Sequence, residues 1–306
     1  GDKVICGENG KFGQRWVKVA KEFGLEVIKI DAEWGKPLNP EDFKKILEED
    51  KQKEIKAVIL THSETSTGVI NDLKMISAHI RNHTKALSII DCVTSIGACN
   101  VPVDEWELDI VASGSQKGYM IPPGLSFISM SKKAWQASEE SNLPKFYLNL
   151  KSYKKSLLSN SNPYTPAVNL VFALDESLKM MREEGLENIF ARHNRHKLAV
   201  SNAAKTLNLN LFADEEHLSP AVTAIATDGI DAEEFRKKIK NKFDILLAGG
   251  QDHLKGEIFR VGHLGYVNDR DIISVISAIS NTLLDQKKIT ALQAGEALAV
   301  ASKHLK

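Results

Sequence analysis

The sequence has no apolar run long enough to cross a bilayer, which takes about 20 residues, so no membrane association is expected. It has no net charge. Forty basic residues balance forty acidic ones, and no field of one sign draws the chain onto nucleic acid or an anionic surface. Cysteine is scarce. Cys6, Cys92 and Cys99 are odd in number and lie in apolar segments, which excludes a disulfide framework and suits reduced core thiols. No spacing resembles a zinc site, so no metal is expected. The first residues show no signal peptide. A cytoplasmic location is therefore expected, with an organellar address left open should a segment precede Gly1. Asn82-His83-Thr84 is a formal glycosylation acceptor, expected to be idle. Internal repeats and low-complexity linkers are also missing.

What is present is an ordinary globular composition, 42% hydrophobic and 26% charged over 306 residues, enough for one large or two medium domains. Short apolar runs alternate with helical patterns. Strands are expected at Val4 to Cys6, Leu25 to Ile30, Ala57 to Thr61 and Leu87 to Asp91. Helices are expected over Gln14 to Phe23, after Asn39-Pro40-Glu41-Asp42, and over Leu73 to Ile80. Asn39 reads as a cap with proline at the first helical position and acids in the first turn. This βα alternation predicts a mostly parallel sheet covered on both faces. After about residue 160 the pattern changes. Long helices are expected over Val168 to Met181 and Leu186 to Leu207. Strands follow at Ala221 to Ala226, Ile245 to Ala248 and Glu257 to Val261. A helix is expected at Ala232 to Lys240, and a last helical stretch from Asp269, broken near Gln286. A large domain over 1–184 and a smaller α+β domain over 185–306 are expected.

Two loops carry candidate chemistry. Gly7, Gly10 and Gly13 stand between a strand and a helix, and the next strand ends in Asp31. A dinucleotide-binding unit has such a turn, but its glycines are spaced G-x-G-x-x-G; here the spacing is G-x-x-G-x-x-G. The nucleotide reading stands second. The other loop is "VASGSQKGYMIPPGLSF", Val111 to Phe127, where Lys117 sits in a tight turn between two apolar strands that read as buried. A lysine in a turn is ordinarily solvated. A desolvated one has a depressed pKa and attacks carbonyl carbons, and a cofactor aldehyde is one such carbonyl. Pyridoxal phosphate also needs a carboxylate against its ring nitrogen. Asp91 closes the strand "LSIID" 26 residues before Lys117, at the carboxyl end where open α/β sheets bind ligands.

The motifs "THSETSTGVIND", "DCVTSIGA", "SGSQKGYMIPPGLSF", "NPYTPAVNLVFALDESL" and "FRVGHLG" occur in that order. Together they resemble the class V aminotransferases of fold type I, most closely the alanine–glyoxylate and serine–pyruvate aminotransferases. The resemblance implies an α/β fold with a mostly parallel sheet in the large domain. It also implies pyridoxal 5'-phosphate as cofactor, amino acids and 2-oxo acids as substrates, and a homodimer. It makes Lys117 the Schiff-base lysine and proton shuttle, and Asp91 the partner of the pyridine nitrogen. Phe12 would stack on the ring, Thr65 lie near its phenolic oxygen, and Gln116 touch the phosphate. Asn162 and Thr165 would reach the phosphate of the neighbouring subunit. Arg260 would fork onto the substrate carboxylate. His62 and His263 receive no role. In the family a glycine- and serine-rich phosphate loop lies upstream of the strand that opens this sequence. The resemblance therefore leads one to expect either a longer intact protein or a phosphate held by fewer donors. Two alternatives stay open: a lyase or desulfurase of the same fold, and a nucleotide-binding or inactive relative. A desulfurase needs a nucleophilic cysteine beyond the lysine, and every cysteine here precedes Lys117.

Overall fold

The computed structural model describes every residue except Thr84 and Lys306. The acceptor triplet thus lies partly outside the described residues. In chain order the first half contains β1 (Lys3–Glu8), α1 (Lys11–Glu22), β2 (Glu26–Asp31), α2 (Pro40–Glu49), β3 (Ile55–Thr61), β4 (Ser63–Glu64), β5 (Val69–Ile70), α3 (Leu73–His83), β6 (Leu87–Asp91), β7 (Ile110–Gly114), β8 (Ser126–Met130), α4 (Lys132–Glu140) and α5 (Leu150–Leu158). There follow α6 (Val168–Glu184), α7 (Leu186–Thr206), β9 (Asn210–Leu211), β10 (Val222–Ala226), α8 (Ala232–Phe243), β11 (Ala248–Gly249), β12 (Ile258–Gly262), α9 (Asp269–Asp285) and α10 (Ala291–Ser302).

Six strands form one sheet in the order β2-β1-β3-β6-β7-β8. All neighbours pair parallel except β7 and β8, which are antiparallel. Side chains alternate across the sheet. Ile5, Val58, Leu60 and Ile90 pack under Phe43, Leu47, Leu73 and Ile76 of α2 and α3. Val4, Cys6, Ala57 and Ile59 pack on Val17 and Ala20 of α1. Both faces are covered, which is why β3 is a continuous apolar run rather than an alternating one. Asn39 caps α2 as expected, its side chain accepting from the Glu41 N–H at 3.2 Å.

The second sheet is antiparallel, in the order β11-β12-β10-β9, and packs its apolar face against α7, α8, α9 and α10. Phe235 of α8 meets Phe259 of β12 with ring centroids 5.2 Å apart. This sheet also docks on the β4–β5 hairpin. The Ser219 N–H donates to the Gly68 carbonyl at 2.8 Å, and the Ser63 and Ser219 hydroxyls share a hydrogen bond of 2.8 Å.

Three local expectations need correction. The strand after Lys117 is not buried: β8 is an outer strand, and Ile128 on it is 49% exposed. Its apolar residues mislead because outer and inner strands share the same β-forming composition. The expected strand at Ile245 to Ala248 shrinks to β11, because Asp244 ends α8 in a left-handed conformation (φ 56°) and Leu246 turns out to solvent. Helix α1 begins at Lys11 rather than Gln14. Helices α4 and α5 and the β4–β5 hairpin had no expectation at all.

Candidate active site

Four parallel strands, β1, β3, β6 and β7, deliver their carboxyl ends to one rim of the sheet. The chain leaves β1 into Gly10 to Phe12, β3 into Thr61 to Ser66, β6 at Asp91, and β7 into Gln116 and Lys117. Strand order reverses between β1 and β3, the kind of switch point where open α/β sheets bind ligands.

Lys117 is half-buried, and its Nζ has no hydrogen-bond or ion-pair partner among the described residues. Burial holds its pKa below the ordinary lysine value. The positive charge of Arg260 adds to that, and the negative charge of Asp91 opposes it. The turn is fixed from below by backbone contact. A Cβ on Gly118 would come within 2.1 Å of the Ile96 carbonyl oxygen, and one on Gly97 within 2.9 Å of the Gly118 Cα. Only glycine at both positions lets the Lys117 turn lie on the turn that follows Asp91.

Asp91 is held from two sides. Trp16 Nε1 donates to its Oδ2 at 3.1 Å, and the Val93 N–H donates to its Oδ1 at 3.0 Å. Burial raises its pKa; the two donors and the nearby Arg15 and Lys117 charges pull it back. Each oxygen accepts one bond, so the carboxylate keeps room for a further donor.

Arg260 on β12 reaches across from the second sheet. Its Nε donates to the Gly249 carbonyl at 2.9 Å and its Nη1 to the Thr65 carbonyl at 2.7 Å. The protein atoms it contacts are carbonyls, which leaves its other N–H groups and its charge for an anion. Thr65 is nearly buried. Phe12, at the first turn of α1, carries the Arg15 guanidinium over its ring at 5.2 Å. Gln116 is exposed at the rim. Lys117, Asp91, Phe12, Thr65, Gln116 and Arg260 thus gather at one end of the sheet. Asn162 and Thr165 do not join them. Both are exposed on the stretch between α5 and α6, with no side-chain hydrogen bond among the described residues.

Two residues of the site carried no sequence expectation. Trp16 lies four positions after Phe12, on the same face of α1, a spacing visible in the sequence once the helix start is known. Glu64 is fully buried, and nothing in "THSETSTG" marks its carboxylate as anything but solvated. His62 and His263 are buried and neutral, burial pushing them down to about 4 and about 3. His263 Nε2 pairs with the Thr223 hydroxyl at 3.0 Å, within the second sheet.

An unpartnered, desolvated amine beside a carboxylate with room for one more donor fits a cofactor that offers a carbonyl and a protonated ring nitrogen. The fold is that of the fold type I pyridoxal-phosphate transferases. The aminotransferase class-V model matches residues 1–262, and the chain belongs to that family, so it is an enzyme that transfers nitrogenous groups. Its relatives are consistent in extent. The L-aspartate–glyoxylate aminotransferase of Paracoccus denitrificans is 36% identical, over 99% of this chain and 77% of its own. The ureidoglycine–glyoxylate aminotransferase of Bacillus subtilis superposes with a TM-score of 0.91 at 31% identity, over 99% of this chain and 79% of its own. A protein of Anabaena cylindrica named as a soluble hydrogenase 42 kDa subunit is 59% identical, over 93% of this chain and 74% of its own. No helix among the described residues is long and apolar enough to cross a membrane.

Proposed function

We propose that the protein is a homodimeric, cytoplasmic aminotransferase. It moves the amino group of a small amino acid (alanine, serine or aspartate) to a small 2-oxo acid such as glyoxylate or pyruvate, with pyridoxal 5'-phosphate bound at Lys117. The observation that carries the reading is the Lys117 amine, desolvated and unpartnered, within reach of the charges of both Asp91 and Arg260. When bound, the cofactor supplies a carbonyl for amines and a ring that withdraws electrons. Lys117 Nζ would hold it, and the same amine, when free, would carry the proton at the substrate Cα. Asp91 keeps the proton on the ring nitrogen. Phe12 covers the ring. Arg260 binds the α-carboxylate that every amino acid and oxo acid of the cycle carries, and arginine suits this because its planar fork matches a carboxylate. Gln116 would contact its phosphate and Thr65 would lie near the ring's phenolic oxygen.

The dimer is supported by surface chemistry. Asn162 and Thr165 lie among exposed apolar side chains, with Phe146 80%, Leu158 85% and Phe172 72% exposed. Such a concentration is characteristic of an interface, and in a dimer those two residues reach the neighbouring site. Residues 1–184 form the cofactor-bearing unit and 185–306 the smaller one, with Arg260 crossing between them. The three cysteines are unpaired, which suits a reducing compartment.

A desulfurase is disfavoured by the same thiols. Burial raises the pKa of Cys6 to about 11 and those of Cys92 and Cys99 to about 12, and such thiols are poor nucleophiles. The Anabaena relative bears a hydrogenase subunit's name. Among the described residues, no three His, Cys, Asp or Glu side chains are placed to hold a metal. The reading follows the family and the Lys117 constellation rather than that name.

The test is a half-reaction screen on the holoenzyme. Single amino acids are added and the visible absorbance of the bound cofactor is followed. Bleaching by alanine, serine or aspartate, restored by glyoxylate or pyruvate, is the expected result. No response to any amino acid overturns the proposal.

A further inference from the structure

We infer that Glu64 is a positioning residue of the active site, through which the turn at residues 64–66 sets both the aromatic cover of the cofactor and the arginine that reads the substrate. This rests on the function proposed above.

The observations come from both sides of the turn. Gly10, at the cap position before α1, has no side chain to cap it, and the helix's first turn holds no acid. Its free N–H groups are satisfied instead from 51 and 52 residues away: Glu64 Oε2 accepts from the Phe12 N–H at 3.0 Å and the Gly13 N–H at 2.9 Å. The other carboxylate oxygen accepts from the Ser66 N–H at 3.1 Å and the Ser66 hydroxyl at 2.5 Å. Ser66 Oγ in turn accepts from the Lys11 N–H at 2.9 Å. The approach is so close that a Cβ on Gly10 would fall 2.3 Å from Glu64 Cγ.

A carboxylate against a helix N-terminus meets the positive end of the helix dipole, and four donors fill its acceptor sites. No site is left on it for a substrate. What it fixes is the backbone of Phe12, the residue whose ring covers the cofactor. The next residue does the same for the substrate side. The Thr65 carbonyl accepts from Arg260 Nη1 at 2.7 Å, and Glu64 and Arg260 feel each other's charge. If the turn shifts, Phe12 and Arg260 shift together. Phe12 has no local cap, and Arg260, held on its own sheet by the Gly249 carbonyl, takes its second anchor from this turn.

The variant Glu64→Gln tests this. Glutamine keeps the shape but has one acceptor oxygen, and its NH₂ must face either the Phe12 and Gly13 N–H groups or the Ser66 pair. Ser66→Ala is the milder partner: it removes the hydroxyl donor and keeps the carboxylate on α1. Three readouts are taken on purified holoenzyme. They are the circular dichroism of the bound cofactor, the KM for amino acid and oxo acid, and the thermal midpoint.

Glu64→Gln is expected to weaken the cofactor dichroism and to raise both KM values by roughly tenfold, the size of one charge-assisted hydrogen bond loosened. Ser66→Ala should move the same quantities in the same direction by less. In the double variant with Phe12→Leu, the dichroism loss should be less than the sum of the single losses, since one effect acts through the other. A lowered thermal midpoint with unchanged dichroism and KM would make Glu64 a helix cap and nothing more, and would overturn the inference. So would strict additivity with Phe12→Leu. If Glu64→Gln does not fold, Ser66→Ala decides alone, by the same dichroism and KM criteria. A wild-type protein that binds no cofactor at Lys117 refutes the proposed function instead, a result read before any variant is made.

Discussion

Two carboxylates, Glu64 fully and Asp91 partly buried, stand at neighbouring strand ends, and they are furnished differently. Glu64 follows β3 and accepts four hydrogen bonds, two from the start of α1 and two from Ser66. Asp91 ends β6 and accepts two, one on each oxygen. Burial raises the pKa of both. The saturated carboxylate has nothing left to offer a ligand and serves the scaffold. The half-satisfied one, facing an unpartnered lysine, is where a donor from outside the chain can bind. Counting donors on a buried acid thus separates a positioning group from a reacting one where burial and charge alone do not.

The largest expected effect falls on the lysine that faces Asp91. Lys117→Ala should abolish borohydride-stable attachment of the cofactor and reduce turnover by several orders of magnitude. Peptide mapping of the reduced wild type should place the pyridoxyl group on Lys117, and a label on another lysine would refute the assignment. Next comes Asp91→Asn. The amide keeps an acceptor for Trp16 or Val93 but does not hold a proton on the ring nitrogen. Turnover is expected to fall by orders of magnitude while the thermal midpoint changes little. Near-normal turnover would erase the difference drawn between the two acids.

Arg260→Lys should be milder. A point charge replaces a fork, and losing one charge-assisted hydrogen bond predicts a drop of roughly tenfold to a hundredfold in kcat/KM, with the cofactor still bound. Arg260→Met should also raise the pKa of the Lys117 amine, because a neighbouring positive charge that lowers it is gone. The pH profile of covalent cofactor capture by the apoenzyme reads that shift, and a profile that moves to lower pH contradicts it.

The smallest effect concerns pH and stability. His62, His193 and His263 are held at about 4, about 4 and about 3, against an ordinary 6.5. Below pH 6.5 the unfolded chain takes up protons at these sites and the native chain does not. Their contribution is present above pH 6.5 and is lost as pH falls toward about 4. Asp91 and Glu64, with raised values, act in the opposite sense. Imidazole NMR signals of His62 and His263 that titrate near 6.5 would show that these rings are not buried neutral.

Much of the scaffold was legible in the sequence for local reasons. Strand β6 has the expected bounds, Leu87 to Asp91, because a short β-branched run ended by an acid at a turn has few other solutions. Helix α2 announced itself through Asn39-Pro40 and its acids. That Asp91 and Lys117 lie at one rim was legible because a parallel sheet sends every strand's carboxyl end to the same side. Three features were not legible. The cap of α1 comes from a hairpin some fifty residues on, so the helix start was set three residues late. The exposure of β8 depends on its place at the outside of the sheet, which its own residues do not encode. Leu246 looked like a strand residue, but the left-handed turn at Asp244 had already spent the chain's direction.

By itself the sequence determined the periodicities, hence the alternation of strands and helices, the mostly parallel sheet and the rim to which Lys117 and Asp91 belong. These follow from short-range rules: side-chain spacing, capping and turn chemistry act over a few residues and read the same in any fold. Tertiary structure alone decided which polar atoms face one another across the chain. Glu64 meets Phe12, Trp16 meets Asp91, and Thr65 meets Arg260 at separations of 52, 75 and 195 residues. The hydrogen-bonding capacity of a carboxylate is the same in every sequence. How much of it is already used depends on which distant donors folding brings within hydrogen-bond distance, four for Glu64 and two for Asp91.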